Sequence, residues 1–191
     1  PDTYFFPVKT SVEGIAYSMW KRFNDVWYEI TGEKITEENF KEVKKVLTVA
    51  SIVEKEGICP EEKRIIAGII YKRIKKGLPI QSCATVEYAL GYHKTRLNEE
   101  DLKIKSPYNT YIHKGLPPTP ICNPGKDSIK ASLKPKKTDY LFFLSKGDGT
   151  SYFSKTYKEH VYAKELYLSP KEEKVENETL YFLETNIKEK S

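Results

Sequence analysis

The chain has 191 residues, of which 39% are hydrophobic, 31% charged and 13% aromatic, a balance that excludes a disordered tail, a collagen-like repeat and a coiled coil. Lys and Arg number 32 against 27 Asp and Glu, and the net charge of +5 is spread along the chain in Lys pairs that alternate with Glu. That is the pattern of a solvated surface rather than of a nucleic-acid-binding patch.

Pro1 to Pro7 reads as an extended segment from the middle of a longer protein, since prolines at both ends and three aromatics disfavour a helix. Thr10 is placed to cap a helix running to about Thr31, with Val12, Ile15, Ala16, Met19, Phe23, Val26 and Trp27 on one stripe and Gly32 as its stop. A second helix is expected from Thr36, where Thr36–Asn39 resembles a capping box, through Phe40, Val43, Val46, Leu47, Ala50 and Val53 to Glu56-Gly57. Pro60 suits the first turn of a third helix, whose Ile65, Ile66, Ile69, Ile70 and Ile74 face inward before Gly77 ends it. Short connections make these three antiparallel neighbours.

Two shorter helices are expected at Thr85–Leu90 and from Asn98 onward. Ser106 to Gly125, with five prolines and two glycines, is a rigid loop of the length that usually carries function. Ser128–Leu133 suits another helical turn. Asp139–Ser145 and Ser151–Ser154 read as strands of a hairpin turning at Gly147–Gly149, followed by a helix over Tyr157–Leu168. The expected class is therefore α+β, mainly helical with a small antiparallel hairpin: a domain over 1–168, then a charged tail over 169–191 whose Leu180–Leu183 can dock on the body. No window approaches about 18 uncharged apolar residues, so no spanning helix is expected. Cys59, Cys83 and Cys122 fit neither a zinc set nor a disulfide framework, and their thiols are expected to be inert.

Two stretches suggest chemistry. In Ala50-Ser51-Ile52-Val53-Glu54-Lys55-Glu56, helical spacing puts Val49, Ile52 and Val53 on the face of Glu56, at the C-terminal turn. Desolvation and the unpaired carbonyls of a helix end both raise a carboxyl pKa, as a general acid requires. Spacing alone favours a solvent-facing residue at a frayed helix end. Glu54 lies about 200° around the helix, so it points elsewhere. Second, Ser106-Pro107-Tyr108-Asn109-Thr110-Tyr111 and Gly115–Gly125 interleave rings with amides and hydroxyls, a mixture that suits a sugar and equally a stiff structural loop. Gln81–Tyr88 lies just past a helix end, where pocket walls form. Arg73 is either a surface cation or a buried group that orders a partner. His93, His113 and His160 are too scattered for a triad or HExxH, and neither a P-loop nor GxGxxG occurs.

Taken together, Pro1–Tyr4, the Ala50–Glu56 run, Arg73 with Gly77 and Gln81-Ser82, Ser106–Tyr111 with Gly115–Pro118, Ile121–Gly125 and the closing hairpin resemble the endolytic murein transglycosylase (YceG-like) family, in order, over about residues 1 to 163. The family carries Asp where this chain has Cys83 and Asn where it has Lys72. The resemblance implies non-hydrolytic cleavage of the MurNAc–GlcNAc bond of peptidoglycan to 1,6-anhydro-MurNAc ends. It makes Glu56 the catalytic acid/base, Gln81, Thr85, Tyr88, Tyr108, Asn109, Thr110, Tyr111 and Asn123 the substrate-binding residues, and Glu54 and Arg73 the supporting ones. It further implies no metal or cofactor, peptidoglycan strands and cell-wall synthases as partners, and a place on the extracytoplasmic face of the bacterial membrane, anchored by a segment outside this chain. A hydrolase using Glu87 as second carboxylate and a non-catalytic glycan-binding module are the alternatives.

Overall fold

A computed structural model describes residues 1–94 and 97–168, so the tail at 169–191 and its Leu180–Leu183 segment lie outside the described residues. The described residues form six α-helices, one 3₁₀ turn and a two-stranded antiparallel sheet, which makes the fold α+β. No described helix is long and apolar enough to cross a membrane. The chain divides into two compact units, residues 1–136 and residue 137 onward.

In the first unit, α1 (Val12–Thr31), α2 (Phe40–Glu56) and α3 (Pro60–Lys75) follow one another, then the shorter α4 (Cys83–Leu90) and α5 (Lys126–Leu133). The cap of α1 is Ser11, whose hydroxyl accepts from the Gly14 amide at 3.1 Å, and not Thr10, whose hydroxyl turns back to the Pro7 carbonyl. Gly32 ends the helix in the left-handed region at φ 74°. The Thr36–Asn39 run is a turn ahead of α2: the Asn39 side chain accepts from the Thr36 amide rather than from the helix. From Asn98 only the 3₁₀ turn Asp101–Lys103 forms: Asn98 and Asp101 exchange the reciprocal side-chain-to-amide bonds of a capping box, but the turn they open runs no further than Lys103.

Helix α2 is the axle of this unit and contacts α3, α4 and α5. From Thr48 to Val53 every residue is buried, so the helix is enclosed on all sides there. One side, through Val43, Val46 and Ala50, meets Trp27 and Ile129, with Phe23, Ile30 and Leu133 packed around them. The other carries Val49, Ile52 and Val53 into Ile66, Ile69, Ile70, Ile80 and Val86, all at 2% exposure or less. Each such β-branched side chain contributes about 1.5–3 kcal/mol on burial. Gly57 joins α2 to α3, and a Cβ there would stand 2.9 Å from Lys63 Cγ and 3.3 Å from Lys63 Cα.

In the second unit, β1 (Phe142–Ser145) pairs with β2 (Ser151–Ser154) in the register Phe143 to Phe153 and Leu144 to Tyr152. The strand begins three residues later than the apolar run suggests. Asp148 accepts from the Thr150 amide and hydroxyl in the turn. Helix α6 (Tyr157–Leu168) lies on both strands, with the Phe142 ring 5.1 Å from that of His160. Thr156 caps it by accepting from the Glu159 amide at 3.2 Å, while Glu159 accepts from the Lys155 amide, a variant of the capping box.

Candidate active site

The site grows from the last two turns of α2. Ser51 donates to the Thr48 carbonyl, accepts from the Ile121 amide at 3.0 Å, and offers its own carbonyl to the Cys122 thiol, tying the end of the 106–125 loop to the helix. One turn on, Glu54 sits at the N-terminus of α5: the Gly125 amide donates to its Oε2 at 3.2 Å, the Ser128 hydroxyl donates to the same oxygen, and Lys63 reaches it at 3.2 Å. Glu56 points the other way, as the 200° step requires, and meets the N-terminus of α4. There the Ser82 hydroxyl donates to its Oε1 at 2.5 Å and the Ala84 amide donates to the carboxyl as well.

Both carboxyls therefore rest against helix N-termini, yet they are shifted in opposite directions. Burial raises Glu54, but Ser128, the Gly125 amide and Lys63 together hold it below the usual carboxylate range. At Glu56 burial dominates and raises the carboxyl, Ser82 and Ala84 oppose it, and repulsion from Glu87 adds to the rise. Burial with an anion nearby at Glu56, and hydrogen bonds with a cation nearby at Glu54, shift the two neighbours apart, one above and one below the usual carboxylate range. The helix end that faces the Glu56 carboxyl is the N-terminus of α4, whose Ala84 amide opposes the rise.

The remaining residues take distinct places. Arg73, 5% exposed, donates from Nε to the Pro79 carbonyl at 2.7 Å and from Nη2 to Gln81 Oε1 at 2.5 Å. It clamps a bend in which Gln81 adopts φ 59°, a left-handed conformation that costs about 1 kcal/mol for a side chain with Cβ. The Gln81 amide donates to the Thr110 carbonyl at 3.0 Å, and Pro79 bridges to Lys114, so this bend is stitched to the 106–125 loop. Tyr111 is partly buried: burial raises its phenol, and its hydroxyl lies 3.2 Å from Cys83 Sγ. Tyr108 bonds Thr119 at 2.7 Å and its ring lies 4.7 Å from that of Tyr88, which is 45% exposed.

Three residues expected to touch substrate are turned inward. Asn109 has no exposed surface; its Nδ2 donates to the Leu102 and Ile104 carbonyls and its Oδ1 accepts from the Tyr111 amide. Thr85 and Thr110, at 0% and 1% exposure, bond each other and Ser82. Their polar atoms are consumed inside the wall, so they shape it from behind. Asn123 is exposed on the stretch held by Ser51 and Glu54, and is not among the residues gathered around Glu56. Ser82, in contrast, is not among the residues assigned to substrate or catalysis from the sequence. Its sequence signals are the Gln81-Ser82 pair of the resemblance and its place as N-cap before Cys83-Ala84-Thr85. No group of three metal-ligating side chains occurs among the described residues.

A helical domain that offers one proton-carrying carboxyl beside a tyrosine-lined wall has the make-up of an acid/base catalyst acting on a polar substrate. The chain belongs to the YceG-like family, whose model matches residues 1–165. It is 46% identical over 175 residues to the endolytic murein transglycosylase of Bacillus subtilis (strain 168), covering 91% of this chain and 48% of that protein. The endolytic murein transglycosylase of Streptococcus pneumoniae serotype 2 (strain D39) is 32% identical, over 84% of this chain and 30% of its own. A crystal structure at 2.6 Å of a YceG-like protein from Listeria monocytogenes matches with a TM-score of 0.73 and 41% identity, over 85% of this chain and 53% of that one. The chain thus spans half or less of the curated relatives it matches.

Proposed function

We propose that this domain is the catalytic part of an endolytic peptidoglycan lytic transglycosylase, with Glu56 as its single acid and base. The observation that carries the reading is a carboxyl raised by burial, held at the N-terminus of α4 and bordered by Tyr111 and the 106–125 loop. The names of the B. subtilis and S. pneumoniae relatives support the substrate class. As acid, Glu56 protonates the glycosidic oxygen between MurNAc and GlcNAc while the C1–O bond breaks through an oxocarbenium-like transition state. As base, it then takes the proton from the C6 hydroxyl of the same MurNAc, whose oxygen closes on C1. One C–O bond breaks, one forms, and the proton that left Glu56 is replaced from the substrate, so no water is consumed. Because the nucleophile belongs to the sugar, one carboxyl suffices, and intramolecular attack gains several kcal/mol from proximity.

Tyr88 and Tyr108 form the stacking surface in this reading, Tyr111 and Gln81 line the approach to Glu56, and Arg73 and Glu54 hold the two flanks. Peptidoglycan as substrate puts the domain on the outer side of the cytoplasmic membrane, beside the synthases that make the strands and attached through another segment of the protein. Digestion of purified uncrosslinked glycan strands followed by mass spectrometry tests the reading. Wild type should yield anhydro ends and Glu56→Gln none. Products about 18 Da heavier would mean hydrolysis, with Glu87 as the second carboxylate. Strands bound but unshortened by wild type would mean a binding module.

A further inference from the structure

We infer that Ser82 is the positioning residue of Glu56, aimed by a closed ring of buried hydrogen bonds that joins it to Thr85 and Thr110; this rests on Glu56 being the acid and base of the reaction. The ring is read directly from the geometry. The Ser82 amide donates to Thr110 Oγ1 at 3.1 Å, the Thr110 and Thr85 hydroxyls share a bond of 2.8 Å, and Thr85 Oγ1 donates to the Ser82 carbonyl at 2.7 Å. A hydroxyl has one proton, and that of Thr85 is committed to the carbonyl, so Thr110 is the donor between the two. All three bonds then run in one direction and every member is satisfied. Ser82, Thr85 and Thr110 are at 1% exposure or less, where an unsatisfied polar group costs about 1–3 kcal/mol. The ring therefore has no low-energy way to open partly.

Its consequence falls on one atom. With both backbone groups of Ser82 consumed, its Cα–Cβ direction is fixed toward Glu56, and its hydroxyl needs only its χ1 rotamer to reach Oε1, 2.5 Å away. Upstream, the Arg73 clamp and the left-handed Gln81 bring the chain into the ring from the required direction. Ser82 holds Oε1 while the Ala84 amide donates to the same carboxyl, so Ser82 helps fix the orientation in which the carboxyl meets the sugar. The titratable groups that face Glu56 are Glu87 from α4 and Tyr111 from the 106–125 loop, while Lys63 of α3 is paired with Glu54 at the N-terminus of α5. Ser82 bonds the charged form of Glu56, so its loss favours the protonated form.

The test compares Ser82→Ala, Ser82→Thr and Glu56→Gln in the 191-residue chain, using glycan strands for kinetics and ¹³C NMR of the Glu56 carboxyl as a readout independent of turnover. Ser82→Ala should lower kcat about tenfold with KM within about twofold of wild type. It should also move both the Glu56 titration and the alkaline limb of the rate profile upward by about half a unit to one unit. Ser82→Thr should return both toward wild type. If Ser82→Ala melts below assay temperature, Ser82→Cys, which keeps volume and a weak donor, should show the same upward titration to a smaller extent. A Ser82→Ala titration coincident with wild type, with Glu56→Gln inactive, overturns the inference and leaves the proposed reaction standing. Activity retained in Glu56→Gln overturns the reaction itself, and the inference with it.

Discussion

Glu54 and Glu56 stand two residues apart on one helix, and their opposite environments make opposite statements about stability. Glu56 binds its proton more tightly folded than unfolded, so the folded chain holds the extra proton between the ordinary carboxyl value of 4.5 and the raised one. Stability therefore falls as pH rises through that window. Glu56→Gln removes the penalty: its melting temperature should equal or exceed that of wild type at neutral pH, and the gap should close as pH falls below about 4.5. Glu54 is depressed, so its contribution is present above the ordinary value and lost as pH falls through the folded one. Glu54→Gln should destabilise by about 1–3 kcal/mol at neutral pH, since it weakens the bonds to Gly125, Ser128 and Lys63, and the loss should shrink in acid. Thermal melts from about pH 3 to about pH 8 separate the two. Parallel curves for all three proteins would contradict both assignments.

The helices follow from local pattern wherever local terms agree. Helix α2 shows this: its apolar residues recur at helical spacing, and the spacing alone sends Glu54 and Glu56 to different sides. The pattern departs at Asn39, whose side chain closes a turn where a helix start was expected, and after Asn98, where a capping pair with Asp101 opens only a 3₁₀ turn. Spacing along α2 also cannot say that its last two turns address three separate segments, Ser51 to Ile121-Cys122, Glu54 to Gly125 and Ser128, and Glu56 to Ser82 and Ala84. The joint after α2 is tight enough to test. Gly57→Ala would push a methyl against Lys63 Cγ at 2.9 Å, Ile66 Cδ1 at 3.2 Å and Lys63 Cα at 3.3 Å. The last is backbone and cannot rotate away, so α3 must shift relative to α2. Urea unfolding should show a loss of about 1–3 kcal/mol. An unchanged midpoint would mean the joint is looser than its geometry.

Around Glu56, the first unit brings together residues that are 26 positions apart at Ser82 and Glu56, and 28 apart at Cys83 and Tyr111. The wall presents Tyr88 outward with the half-buried Tyr108 ring against it, while Asn109 and Thr110, which follow Tyr108 in sequence, face inward. Tyr108→Ala should therefore weaken glycan binding several-fold, read by sedimentation with insoluble peptidoglycan, with a smaller effect on the melting temperature. Asn109→Ala should do the reverse, because two carbonyls and an amide lose their partner. Equal effects of the two substitutions on binding and melting would remove the distinction between face and frame.

Composition, apolar periodicity and punctuation by Gly and Pro determined the helical order, the hairpin and the separation of the two glutamates, because each is a property of neighbours within a few residues. Tertiary structure decided which polar side chains of the Tyr108–Tyr111 run face out, that Ser82 rather than Thr85 meets Glu56, and which charges accompany each carboxyl. Those outcomes depend on desolvation and on hydrogen-bond partners supplied by distant segments, and neither exists until the chain has folded.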